Sequence, residues 1–153
     1  MLEHFSFSVC FIVDRGVSHE IVRHRLASFA QESTRYCNYG NKGGEITVVR
    51  PNYLSDDASY CAWVDSCEQC ERTYLNMLEL GSTPQEARAV LPTSLKTEIV
   101  VTMNLREWRH FFKLRALGTT GKPHPQMLEV TIPLLHEVHE LIPVVFDDMF
   151  GVS

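Results

Sequence analysis

Three side chains able to carry positive charge stand in a row at Arg23, His24 and Arg25, and Ser33, Arg35 and Tyr36 follow shortly after them. Successive residues of a helix point about 100° apart, so the three cannot share one face. Close like charges repel unless an anion receives them. A hydroxyl at Ser33 and a guanidinium at Arg35, on a turn beyond a helix, suit a phosphate, which takes charge-assisted donors well. The competing reading is a basic helix end in solvent, and on these residues alone it is the favoured one.

The rest of the charge pattern narrows the classes. Net charge is −5, with 14 basic against 19 acidic residues, which argues against nucleic acid as the partner. Ten of the basic residues are arginine and four are lysine, and arginine's rigid fork holds carboxylates and phosphates in a way lysine cannot. No apolar run reaches the roughly 18 residues of a membrane span. Phe5 to Val13 is apolar, but Glu3 precedes it and no small-residue cleavage site follows, so it reads as a strand and not as a secretory signal. Five cysteines, an odd number without a signal, point to reduced thiols and the cytoplasm, whether bacterial or that of a host.

These side chains need elements to position them. Phe5, Phe7, Val9, Phe11 and Val13 alternate with Ser6, Ser8, Cys10 and Ile12, the period of a strand. After the turn Asp14-Arg15-Gly16, Ser18 is the expected N-cap of a helix reaching about Phe29, with Ile21, Val22, Leu26 and Phe29 on its buried face. Residues 37–44, with three glycines and two asparagines, read as a loop. Glu45 to Arg50 is expected as a short strand and Ala58 to Leu80 as a helix. Thr83-Pro84-Gln85-Glu86 is a capping box with proline at the first helical position. Thr97 to Met103 alternates as a strand, Leu105 to Ala116 is helical in pattern, and Leu117 to Pro125 is a loop. Gln126 to Leu141 forms a last amphipathic helix with Pro133 as a kink. Strands interspersed with helices in this order predict an α+β (mixed α/β) domain, a mostly antiparallel sheet flanked by helices.

The string RHRLASFAQESTRY, residues 23–36, resembles the signature of the flavin-dependent thymidylate synthases (thymidylate synthase complementing proteins): Arg-His-Arg, seven residues, Ser, and Arg two further on. Leu2-Glu3-His4 resembles the family's Glu-His lead into its first strand. Arg88 with Val90-Leu91-Pro92 resembles its Ala-Arg-x-x-Leu-Pro segment. Asn104 to Arg115, NLREWRHFFKLR, with His124-Pro125-Gln126-Met127, resembles its C-terminal block. The segments stand in the family's order, and the region 50–80 is the least diagnostic.

The resemblance implies one domain over residues 1–153, lacking the family's usual N-terminal extension, in a homotetramer with active sites built between subunits. It implies synthesis of dTMP from dUMP, with methylenetetrahydrofolate as carbon donor and FAD reduced by NADPH. Carried over position by position, His4, Arg23, His24, Arg25, Asn104, Arg106, His110 and His124 are the flavin contacts. Glu20, Gln31, Ser33, Arg35, Arg88 and Arg115 are the dUMP contacts. Arg115 and Ser33 form the catalytic set: Arg115 would stabilise negative charge developing on the uracil ring. Ser33 has no His-Asp pair to activate it as a nucleophile, so phosphate binding is its expected task. A homologous protein that binds nucleotide and flavin without turnover is the alternative.

No metal is expected. Cys67 and Cys70 lack a second pair at zinc spacing and fall on the apolar side of a helical pattern, as buried thiols do. His136 and His139 lack further ligands in sequence and read as a solvated face. Trp63, Trp108, Phe111 and Phe112 read as core or subunit interface.

Overall fold

In the computed structural model of the chain, residues 1–151 are described. The strands are β1 (Ser6–Asp14), β2 (Ala27–Gln31) and β3 (Lys96–Asn104), and the helices are α1 (Arg15–Ile21), α2 (Asp57–Glu79), α3 (Pro84–Ala87), α4 (Leu105–Arg115), α5 (Pro125–Leu141) and α6 (Pro143–Phe146). The sheet has the order β1-β3-β2 and is antiparallel, so the α+β expectation holds. The register of β1 on β3 is visible in three pairs. Leu105 N donates to Phe5 O, the Ser8 and Thr102 hydroxyls meet at 2.7 Å, and Arg15 N donates to Leu95 O.

The chain separates into two compact units. One comprises Met1–Phe11, Glu20–Ala30 and the described part of Val100–Ser153; the other comprises Ile12–His19 and Gln31–Ile99. The first unit is organised by aromatic rings. Trp108 is wholly buried, stacks on Phe7 at 4.8 Å and meets Phe111 edge-on at 5.5 Å. Phe112 extends the cluster to Phe146. The period of α4 explains the pattern: Leu105, Trp108, Phe111 and Phe112 all fall on one stripe. The second unit packs Tyr39, Tyr74, Ala87 and Leu95 together, with Leu75, Leu78 and Val90 around them. Here α2 is capped by Asp56, whose side chain accepts from Ser59 N, and α3 opens with the expected capping box of Thr83 and Glu86.

Two expected elements are corrected. The helix expected from Ser18 to about Phe29 is α1 alone. It begins earlier, where the Asp14 carboxylate accepts from Val17 N at 2.7 Å, and it ends at Ile21. Ser18 is no cap. It is buried inside α1, where its hydroxyl donates to Arg15 O. Val22 and Leu26 are exposed, and Ala27–Gln31 is strand β2 with alternating exposure. The apolar spacing at 21, 22, 26 and 29 satisfies a helical template by coincidence, whereas pairing with a neighbouring strand is a long-range event that no local window contains. The strand expected at Glu45 to Arg50 is reduced to an isolated bridge, Val48 with Leu95. Pro51 ends it, because proline cannot donate to a ladder. α5 continues through Pro133 as one helix.

Trp108→Ala should destabilise the protein by about 3–5 kcal/mol, the usual cost of emptying an aromatic core position. A urea denaturation midpoint unchanged from the parent would refute the central place given to this ring.

Candidate functional site

In the first unit α1 ends in a tight turn: Arg23 N donates to Glu20 O and His24 N to Ile21 O. That turn separates the three basic side chains. Arg23 and Arg25 are exposed, and His24 is turned inward with only 4% of its surface accessible. Its ring lies edge-on to Phe111 at 4.9 Å.

Both nitrogens of the buried ring are engaged. Arg115 Nε donates to His24 Nε2 at 3.2 Å, and His24 Nδ1 lies 3.3 Å from a carboxyl oxygen of Glu107. A guanidinium has no acceptor. Nε2 must therefore present its lone pair, the ring proton must sit on Nδ1, and Glu107 must accept it. Burial, then the charges of Arg115 and His110, hold His24 down at about 4, so the pair is a hydrogen bond of a neutral imidazole. Burial pushes the Glu107 carboxyl above its usual range, opposed by His110. Asn104 caps α4 by accepting from Glu107 N at 2.9 Å, which fixes the backbone that carries this carboxyl.

The guanidinium of Arg115 is held at its other end as well. One terminal nitrogen donates to the Glu20 carboxylate at 2.8 Å and the other to Glu20 O at 3.1 Å. The Thr131 hydroxyl of α5 donates to Arg115 O at 2.9 Å. Glu20, Arg115, Lys122 and His124 line a cavity of about 470 Å³, with Gly118 at φ 66° turning the loop that leads to its wall. Glu20, Arg115 and His124, three of the residues expected from sequence, thus converge from three separate segments.

His24, Glu107 and His110 have ligand atoms within 4.8 Å of one another, close enough for a cation. The tautomer argues against one. A metal at Nδ1 needs the lone pair there, which would put an N–H on Nε2 against the Arg115 Nε–H.

Arg106 pairs with the Glu3 carboxylate, and that hydrogen bond first, with the charge of Arg106, holds Glu3 down at about 2. His4, next to Glu3, is exposed, as is His110.

The second unit holds a polar cleft of about 390 Å³ lined by Arg15, His19, Thr34, Arg88 and Thr93 among others. Arg88 reaches the Thr34 hydroxyl at 3.5 Å, and Arg15 donates to Glu32 O at 2.9 Å. Ser33 and Arg35 flank Thr34 without lining the cleft. Ser33 Oγ accepts from Arg35 N, and Arg35 Nε donates to Gln85 at 2.8 Å. Gln31 points elsewhere, donating to the Ser18 and Thr97 hydroxyls. Of the expected dUMP contacts in this unit, Arg88 is the one that lines this cleft.

Arg15, Thr34 and Glu107 were not singled out from sequence. Glu107 left one signal, an acid on the apolar stripe of α4, where a carboxyl needs a partner. Cys67 and Cys70 are free thiols, and burial pushes the Cys67 thiol up.

The model of the thymidylate synthase complementing proteins matches residues 1–144. The chain belongs to that family. It is similar to the flavin-dependent thymidylate synthases of Pyrococcus abyssi, at 35% identity, and Pyrococcus horikoshii, at 37%, each alignment covering 95% of this chain and 60% of the relative. The Geobacter sulfurreducens enzyme is 33% identical over 97% of this chain and 62% of its own length. The chain therefore spans about three-fifths of these family members. No helix among the described residues is long and apolar enough to cross a membrane.

The depressed His24 carries a pH signature. The unfolded chain takes a proton near 6.5 and the folded one near 4. Between these values only the unfolded state is protonated, so stability is full above about 6.5 and falls as pH drops towards 4, by on the order of 2–3 kcal/mol. The raised Glu107 works in the opposite sense as pH falls. His24→Gln should therefore flatten the decline across this window; urea denaturation from pH 4 to 7 with parallel curves for parent and variant would contradict the assignment.

Proposed function

We propose that this chain acts as a flavin-dependent thymidylate synthase, forming dTMP from dUMP with methylenetetrahydrofolate as carbon donor. The observation that carries the reading is the convergence of Glu20, Arg115 and His124 on one cavity, because the resemblance gives all three to nucleotide and flavin. Membership of the family supports it further.

The residues have the chemistry the reaction asks of them. Uracil becomes a carbon nucleophile at C5 as negative charge spreads onto its ring oxygens. Arg115, already oriented by His24 and Glu20, is a fixed donor for that charge and needs no reorganisation to stabilise it. The dUMP phosphate is a dianion. The cleft with Arg88, Arg15, His19 and Thr34 offers it charge-assisted donors, and Ser33 and Arg35 stand on the same turn.

The flavin site is supported by its donor set. Arg23 and Arg25 are exposed cations, of a kind that suits an anionic cofactor such as FAD. His4, Asn104, Arg106, His110 and His124 are the further proposed contacts. His24 belongs to the same sequence block, but both its ring nitrogens are engaged by Glu107 and Arg115, so its contribution is to hold Arg115. When bound, FAD reduced by NADPH supplies the hydride. The protein's own share is positioning and electrostatics. The same reading makes the assembly a homotetramer and its setting the cytoplasm.

The second reading, the alternative that the resemblance leaves open, is a homologue that binds flavin and nucleotide without turnover.

Absorbance and turnover separate the two. The purified protein should be yellow or take up FAD in titration, its flavin spectrum should shift on adding dUMP, and dTMP should form with methylenetetrahydrofolate and NADPH. Flavin and dUMP binding without dTMP selects the second reading, and refusal of FAD overturns both. Arg115→Ala should lower turnover at least ~100-fold with flavin retained, the scale of losing one oxyanion donor. Arg88→Ala should weaken dUMP binding roughly tenfold or more, as expected for a lost charge-assisted bond; an unchanged dissociation constant would remove Arg88 from the phosphate site.

A further inference from the structure

We infer that Glu107 is a positioning residue, which acts through the tautomer of His24 to set the guanidinium of Arg115 for the nucleotide. The proposal rests on the reading of Arg115 as a dUMP contact.

Three proton positions are locked in series. The Arg115 Nε–H can only donate, so its partner His24 Nε2, at 3.2 Å, must be unprotonated. A neutral imidazole carries one ring proton, which then sits on Nδ1, 3.3 Å from Glu107 Oε1. Without an acceptor at Glu107 the buried Nδ1–H loses its partner. Only the Arg115 bond then opposes a shift of the proton to Nε2, a shift that places two N–H groups head to head. Arg115 must then swing away and lose its Nε bond, one of the three contacts, with the two to Glu20, that fix the plane of the guanidinium. The two terminal nitrogens, on Glu20, lie at the cavity, so the plane set at Nε decides where the donors point.

The surroundings favour this arrangement over a purely structural ion pair. His24 and Glu107 are both buried, at 4% and 6% accessible, while Arg115 and Glu20 are partly exposed at the cavity. Burial and the neighbouring Arg115 and His110 keep the ring neutral, so the relay transmits a hydrogen-bond direction and not a charge. α4 carries both ends: Glu107 lies near its capped start and Arg115 is its last residue. One rigid helix therefore presents the acceptor and the guanidinium to the same imidazole.

The test uses the full chain in two parts. Nitrogen-15 shifts of His24 in the ligand-free protein should report Nδ1–H. Glu107→Leu, close in size and without an acceptor, should shift the ring towards Nε2–H. It should raise the dUMP dissociation constant about tenfold while FAD affinity stays within about threefold. Glu107→Gln keeps an oxygen that can accept and should retain both the tautomer and the dUMP affinity within about threefold. An Nε2–H ring in the parent protein overturns the proposal outright, whether or not any variant folds. So does Glu107→Leu with unchanged dUMP affinity when Arg115→Ala weakens it, or Glu107→Gln as impaired as Glu107→Leu. If Arg115→Ala itself leaves dUMP binding intact, the functional reading has failed, and the tautomer measurement alone then decides whether Glu107 orders Arg115.

Discussion

A guanidinium cannot accept a hydrogen bond, and that restriction governs the first unit of this protein. Because Arg115 donates to His24, the imidazole has one permitted tautomer, and because the imidazole has one tautomer, the buried carboxyl of Glu107 has a fixed task. Each of these groups would be costly to bury alone. Together they satisfy one another, and Glu20, Arg115, Thr120, Lys122 and His124 supply polar side chains to the cavity. The aromatic cluster of Trp108, Phe111 and Phe112 supplies the dry surroundings in which such bonds are strong.

The fold serves this arrangement by placing chemistry at element ends. Glu20 and His24 come from the C-terminal end of α1 and the turn beyond it, Arg115 from the last turn of α4, and His124 from the residue before α5. Side chains at helix ends project from rigid supports without interrupting the apolar stripes. In the second unit the same economy appears around Arg88, which follows the short capped helix α3 and meets Thr34 across a cleft. The two units carry different chemistry: one holds a neutral imidazole relay, the other a set of cationic donors suited to a dianion.

Much of this was legible beforehand. The capping box at Thr83, the long helix after Asp56 and the aromatic stripe of α4 are written in short-range spacing, and each formed where it was expected. The family resemblance pointed to Glu20, Arg88, Arg115 and His124, which line the two cavities. The misreading at 22–29 has a physical origin. Residues spaced to suit a helix were taken up by β3 as a strand partner, and pairing energy between distant segments outweighs local propensity. Gln31 shows the same limit. Its type suits a nucleotide contact, but the fold spends its amide on Ser18 and Thr97.

Sequence by itself determined the family, the α+β class and the inventory of cations, because these depend on residue type and order, which are fixed along the chain. Tertiary structure alone decided which of those groups face a cavity and which face each other. Arg23 and Arg25 stay at the surface while His24 between them turns inward, and no local rule separates the three. The inward turn follows from a carboxyl and a guanidinium that lie more than eighty residues away. Only folding brings them within hydrogen-bond distance, and only that proximity gives the imidazole its proton position.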